Sequence, residues 1–250
     1  MLPLADNNPL RYIRDPFVTW AIIFACVMVL LYQANLDQRT AAVFVHAYGA
    51  IPTVVFGNAR LPAEIAELPG WATLISSMFL HGGLMHLVGN MLFLWVLGDN
   101  VEDAMGHARY VAFYLACGVV AALAHGLTDT TSEIPMIGAS GAISGVIGAY
   151  LVLHPKASIK TLVWIFIIEL PAWVVLGIWA AFQVVSALMT TGGVGGGVAW
   201  WAHIGGLVAG LVLVAPMRRR QVPLFDKGIE MPVRRGPKIT MRPGPWKRRM

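Results

Sequence analysis

The sequence predicts an all-α polytopic membrane protein, a bundle of six transmembrane helices. Three observations predict it. Of the 250 residues, 57% are hydrophobic and only 12% are charged, about half the charged share of a soluble domain. The apolar residues come in runs long enough to cross a bilayer. The basic residues between those runs fall on alternate connections, as the positive-inside bias requires.

The elements follow in order. Residues 1–16 are polar and contain prolines, and no small-residue cleavage site follows the first apolar run. That run, about 17–35, is therefore expected to stay as the first helix, behind a short N-terminal segment. The connection 36–82 is the longest. It is weakly hydrophobic and holds Trp71, so it is expected to lie against the bilayer. The apolar run from Trp71 to Leu97 is too long for one untilted span, and His81-Gly82-Gly83 interrupts it. The second helix is accordingly placed at about 83–103, the third at 108–126 and the fourth at 138–154. Pro171 follows Glu169 and suits a first helical turn, so the fifth helix is placed at 171–189 and residues 161–170 become an interfacial segment. The loop Gly192-Gly193-Val194-Gly195-Gly196-Gly197 is rich enough in glycine to be flexible, either as a lid or as a plain turn. The sixth helix is placed at 197–216, closing a membrane domain of residues 17–216.

Residues 217–250 carry 11 of the 18 Lys and Arg residues, five prolines and only two acids, Asp226 and Glu230. Such a composition predicts a disordered tail that touches anionic lipid, with no nucleic-acid partner expected. With the N-terminus inside, 16 of the 18 basic residues fall inside, leaving Arg39 and Arg60 outside. This predicts an even number of spans, both termini cytoplasmic, and a plasma membrane as the site. Cys26 and Cys117 both lie in apolar runs and read as packing residues.

Polar residues inside spans are costly and tend to mark function. Ser140 and Ser144 stand on the fourth helix, His203 on the sixth, His86 and Asn90 on the second. Ser140 lies in Gly138-Ala139-Ser140-Gly141, and Gly141 and Gly145 have GxxxG spacing. Taken alone, this segment reads as a helix-packing face rather than as a nucleophile. His203 changes the balance, because a serine needs a base and both residues fall at similar depth in the derived topology. Ala202, Gly206 and Gly210 would let the sixth helix approach a neighbour closely. His86 and Asn90, four apart, share a helix face and could serve as oxyanion donors or as an interhelical hydrogen-bond pair. His81 and His86 have poor spacing for a metal, so no metal and no other cofactor is expected. Asp99, Glu102, Asp103 and Glu169 lie at the wrong end of the bundle to reach His203. A Ser–His dyad is therefore predicted, its base oriented by packing and aromatic contact.

These motifs, in this order on these spans, resemble the rhomboid proteases: Gly138-Ala139-Ser140-Gly141, then Ala202-His203 with Gly205-Gly206, and His81 with His86 and Asn90. Gly106-His107-Ala108-Arg109-Tyr110 is similar to the family as well. The resemblance implies a six-helix rhomboid-like bundle whose site opens to water on the non-cytoplasmic side. It implies an intramembrane serine endopeptidase acting on single-span or other membrane proteins in the lipid bilayer. Ser140 would be the nucleophile and His203 the base, with the Ser140 N–H, His86 and Asn90 holding the oxyanion. Some members place a Tyr four residues after the nucleophile, stacked on the base; here that residue is Ser144, which cannot stack. Trp200 or Trp201 is the candidate replacement. A non-catalytic binder of membrane segments ordinarily lacks the Ser or the His, and both are present. A transporter needs polar groups along a whole path, and these are confined to one half.

Overall fold

The structure, a computed structural model, describes residues 1–190 and 198–226. The chain opens with a strand, β1 (Leu2–Asp6), and enters the first long helix, α1 (Phe17–Ala34). The long connection folds into α2 (Gln38–Tyr48), the short α3 (Pro52–Val55), α4 (Gly70–Ser76) and a 3-10 turn over Ser77–Phe79. Next come α5 (Leu84–Met105), α6 (His107–Gly126) and α7 (Ser140–Leu153). A hairpin of β2 (Ser158–Val163) and β3 (Phe166–Pro171) leads to α8 (Ala172–Met189) and α9 (Trp200–Met217).

Among the described residues, α1, α5, α6, α8 and α9 are long and apolar enough to cross a membrane. The sixth expected span, α7, is shorter, at 14 residues. It would reach only about 21 Å, against a hydrocarbon core of about 30 Å. Position explains how a short helix serves: α7 stands at the centre, packed by α5, α6, α8 and α9, with nearly every residue buried. Lipid-facing apolar residues lie instead on the outer helices, such as Phe24 on α1, Phe182 on α8 and Val212 on α9. Cys26 and Cys117 are free thiols buried in this core.

The helix starts answer to local chemistry. The expected break before α5 is present: Gly83 precedes its first residue at φ +148°, in a backbone region that side chains rarely enter. The closest packing is between α7 and α9. A Cβ added to Gly206 would fall on the Gly141 carbonyl oxygen, and one on Gly210 on that of Gly145. The two small-residue stripes read from the sequence therefore face each other, backbone against backbone.

Arg11 and Arg219 both bond to Asp103, and Arg109 donates to the Arg218 carbonyl, at the end of the bundle where α1 begins; this is the basic end. Two buried acids on α5 organise it. Glu102 accepts from the backbone N–H groups of Val18 (3.0 Å) and Thr19 (2.8 Å) and from the Thr19 hydroxyl (2.7 Å). It thereby caps the start of α1, whose first N–H groups have no intrahelical partner. Asp103 accepts from the backbone N–H groups of Arg11, Tyr12 and Ile13.

Two findings depart from the sequence reading. The segment 161–170, expected to be merely interfacial, forms most of the β2–β3 hairpin, and β1 adds to it in the antiparallel order β1-β2-β3. Its β-branched residues, Ile159, Thr161, Val163, Ile167 and Ile168, favour strand over helix. Glu169 finds a place here, 3.8 Å from Lys160 across the strands. Residues 218–226, inside the tail for which composition predicts disorder, fold back on the basic end. Arg219 N–H donates to the Ala104 carbonyl (2.8 Å), and the Arg11 guanidinium pairs with Asp226 (3.2 Å). The rest of the tail, 227–250, and the glycine-rich loop at 191–197 lie outside the described residues.

Candidate active site

Ser140 is the first residue of α7, at the end of the bundle opposite the basic one. Its backbone N–H is one of the four that an α-helix cannot satisfy internally. His203 lies in the first turn of α9 and is buried, 9% exposed. The α7–α9 contact at Gly141 and Gly206 brings the two side chains together, with Ser140 Oγ 2.8 Å from His203 Nε2.

The other imidazole nitrogen has a partner the sequence reading missed. His203 Nδ1 lies 2.7 Å from Oε1 of Gln183 on α8, a residue only 3% exposed. The amide's own NH₂ donates to the Trp179 carbonyl at 3.1 Å. A carbonyl can only accept, so the amide orientation is fixed and Oε1 faces His203. An oxygen needs a donor, which places the proton on Nδ1. In the neutral ring Nε2 then carries the lone pair, and the Ser140 hydroxyl donates to it. The signal that could have found Gln183 was present: it is a strongly polar residue in the fifth apolar run, near the same depth as His203.

Aromatic residues complete the setting. The Trp179 ring lies 6.0 Å from the His203 ring at 37°, and Trp200 meets it edge-on at 6.1 Å. Of the two aromatic candidates, Trp200 makes the contact; Trp201 is 37% exposed. Ser144 takes no part in orienting the imidazole; its hydroxyl donates to the Ser140 carbonyl at 2.6 Å.

On α5, His86 and Asn90 flank the same spot. Gly138 has φ +121°, and a Cβ there would stand 2.9 Å from His86 Nε2 and 3.8 Å from Asn90 Nδ2. Only glycine lets the turn before Ser140 pass so close to both. The Gly82 N–H donates to His86 Nδ1 at 3.3 Å, so the proton of the neutral His86 ring sits on Nε2, the nitrogen beside Gly138. Asn90 Nδ2 is buried with no hydrogen-bond partner among the described residues. A buried donor left open is costly unless an acceptor arrives. His81, just before α5, packs its ring edge-on to His86 at 5.2 Å. Burial, reinforced by His86, pushes its imidazole down to about 4, so it is neutral at physiological pH.

The four residues His86, Asn90, Ser140 and His203 thus gather at one site. It offers a hydroxyl on an imidazole and an N–H cluster at a helix N-terminus. Asp99, Glu102 and Asp103 stand on the last two turns of α5, remote from it.

A family model described as the rhomboid domain matches residues 69–220, more than half of the chain. RHOMBOID-like protein 5 of Arabidopsis thaliana is 42% identical over 102 residues, covering 41% of this chain and 33% of the relative. The rhomboid protease GluP of Bacillus subtilis is 31% identical over 177 residues, covering 70% of this chain and 31% of the relative. The rhomboid protease GlpG of Salmonella choleraesuis is 28% identical over 221 residues, covering 83% of this chain and 69% of the relative. The chain therefore spans about a third of the length of the first two relatives and about two thirds of the third. With its helical membrane bundle and a match across α4 to α9, the chain belongs to the rhomboid family.

Proposed function

We propose that the protein is an intramembrane serine endopeptidase, with Ser140 as nucleophile and His203 as general base. The observation that carries the proposal is the 2.8 Å contact between Ser140 Oγ and His203 Nε2, on an imidazole whose tautomer Gln183 sets. Substrates would be single-span or other membrane proteins, reaching the site from the bilayer. The basic end would be cytoplasmic, as the positive-inside bias requires, and the site would lie toward the other side.

The chemistry follows from the geometry. Ser140 Oγ attacks the carbonyl carbon of a peptide bond as its proton passes to His203 Nε2. Negative charge gathers on the carbonyl oxygen. The Ser140 N–H at the start of α7, Asn90 Nδ2 and His86 Nε2 surround the place where that charge would develop. The tetrahedral species collapses as His203 returns the proton to the leaving amine. Water, activated by the same imidazole, then releases the acyl group. Because α7 is about 9 Å shorter than the hydrocarbon core, Ser140 would sit below the membrane surface. A peptide bond in a stable helix is shielded, so a substrate would need small or helix-breaking residues near the cut.

The test is cleavage of a single-span substrate by the purified chain in liposomes, with and without chelator. Cleavage that chelator does not affect, near Gly, Ala or Pro, supports the reading. Failure to cleave a panel of such substrates, by protein that remains folded, refutes it.

A further inference from the structure

We infer that the β2–β3 hairpin is a membrane anchor, its tip lying among the lipid headgroups and adjoining acyl chains of the leaflet at the basic end. The position and composition of the hairpin carry this. The Asn100 side-chain NH₂ donates to the Asn8 carbonyl (3.0 Å), while Asp103 accepts from the N–H groups of Arg11, Tyr12 and Ile13. From residue 8 to residue 13 the chain therefore descends along α5 toward its C-terminal, basic end. The strand β1 precedes this stretch and lies against α5. Asp6 pairs with Ile159 and Leu2 with Leu162, which puts the hairpin's root beside Asp6 and its loop beyond Leu2. The hairpin therefore leaves the bundle at its basic end, between the end of α7 and the start of α8.

Polarity along the hairpin agrees with that placement. Ser158, Lys160 and Glu169 lie toward the root, and Lys156 is exposed beside it. Past Leu162 the sequence reads Val163-Trp164-Ile165-Phe166-Ile167-Ile168, with no polar side chain. Trp164 is 92% exposed, Ile165 82% and Phe166 66%. In water this would be an unusually large apolar projection. At a headgroup boundary it is a favourable one, with Trp at its preferred level and Lys156 and Lys160 near the phosphates.

The loop itself gives a second, independent observation. Val163 pairs with Phe166, leaving a two-residue connection of Trp164 and Ile165. Such loops ordinarily take Gly or Asn where φ is positive. Here Trp164 holds φ +57°, a conformation unfavourable for a bulky side chain. The chain retains a strained tryptophan where a plain turn residue would relieve the backbone, as expected if the side chain has a partner outside the protein. Trp173 and Ile178 on α8, which follows the hairpin, are exposed apolar residues as well. The occupant is lipid, and the inference does not depend on the chemistry assigned to Ser140.

The experiment is nitroxide labelling of the full chain in liposomes at Ile165→Cys, with Lys156→Cys as the reference. Cys26 and Cys117 are fully buried and can be retained. The expected result at position 165 is a raised collision rate with oxygen and a loss of collisions with a water-soluble nickel complex, relative to position 156. Nickel access equal to the reference would place the tip in water and overturn the inference. Exclusion of both reagents would place it against protein, such as a second copy, and overturn it too. The double variant Trp164→Asn/Ile165→Gly supplies a relaxed turn without the anchor. Labelled additionally at Phe166→Cys, it should gain nickel access over Phe166→Cys alone, while its thermal midpoint in detergent equals or exceeds the parent's. A lower midpoint would mean that the protein itself packs the tip, and would overturn the inference.

Discussion

Gln183 and His203 meet across the α8–α9 contact, the imidazole Nδ1–H donating to the amide oxygen at 2.7 Å. The amide is held in turn by the Trp179 carbonyl, so one backbone group on α8 dictates which nitrogen of His203 faces Ser140. Gln183→Ala should lower kcat by about ten- to a hundredfold with KM unchanged, short of the roughly 10⁴-fold that a wrong tautomer costs a serine protease. Gln183→Glu keeps an acceptor for Nδ1–H and should retain more activity than Gln183→Ala. A matched rise in KM without a fall in kcat would show that Gln183 acts on substrate binding instead.

Asn90 offers a buried NH₂ with no partner among the described residues, close to the turn at Gly138. If it meets the oxyanion, Asn90→Ala should cost about 10²- to 10³-fold in kcat, the range for loss of one such donor. Stability should change little, because no hydrogen bond of the resting protein is lost. Steady-state kinetics beside thermal unfolding separates the two effects.

Gly206 stands where α9 crosses α7, with the Gly141 carbonyl in the place of its missing Cβ. Gly206→Ala must push the helices apart, at a cost of about 1–3 kcal/mol or more. It should also pull His203 from Ser140 and abolish cleavage. Gly89 on α5 has open space at its Cβ position, and Gly89→Ala should be neutral or stabilising by up to about 1 kcal/mol. Unfolding in graded denaturing detergent compares the pair. Equal effects would contradict the close approach.

Asp6 lies at the root of the sheet, where the Tyr150 hydroxyl donates to its carboxylate. Burial pushes its carboxyl up from 3.8 to about 6, and the Tyr150 bond offsets part of that. The folded chain then holds a proton that the unfolded chain has lost. The stabilising contribution is complete below about 3.8 and disappears as pH rises through about 6. The thermal midpoint should therefore fall over this window through Asp6. Asp6→Asn, which can still accept from Tyr150, should flatten that part of the profile.

The helical bundle was legible because lipid imposes a simple rule: long apolar runs must be helices. The break at His81-Gly82-Gly83 and the start of α8 after Pro171 followed from backbone chemistry, and both occur where expected. Ser140 and His203 were legible as polar residues at matching depth within such runs. The hairpin was not, because 161–170 continues the apolar run of α8 and its strand pairing depends on β1, more than 150 residues away. Gln183 was passed over because a lone amide carries no motif. Its role exists only through the rotation of α8 about its axis, which a helical sequence pattern does not specify. The capping of α1 by Glu102 is of the same kind, a contact between elements 83 residues apart.

The central claim is that Ser140 is a nucleophile activated by His203. Its most direct measurement is labelling of the purified chain with a fluorophosphonate, followed by peptide mapping in the mass spectrometer. The account predicts one adduct, on Ser140, formed in the wild type and absent in His203→Ala and Ser140→Ala, with all three proteins folded. An adduct on Ser144 or another serine, or labelling of Ser140 at an undiminished rate in His203→Ala, would contradict it.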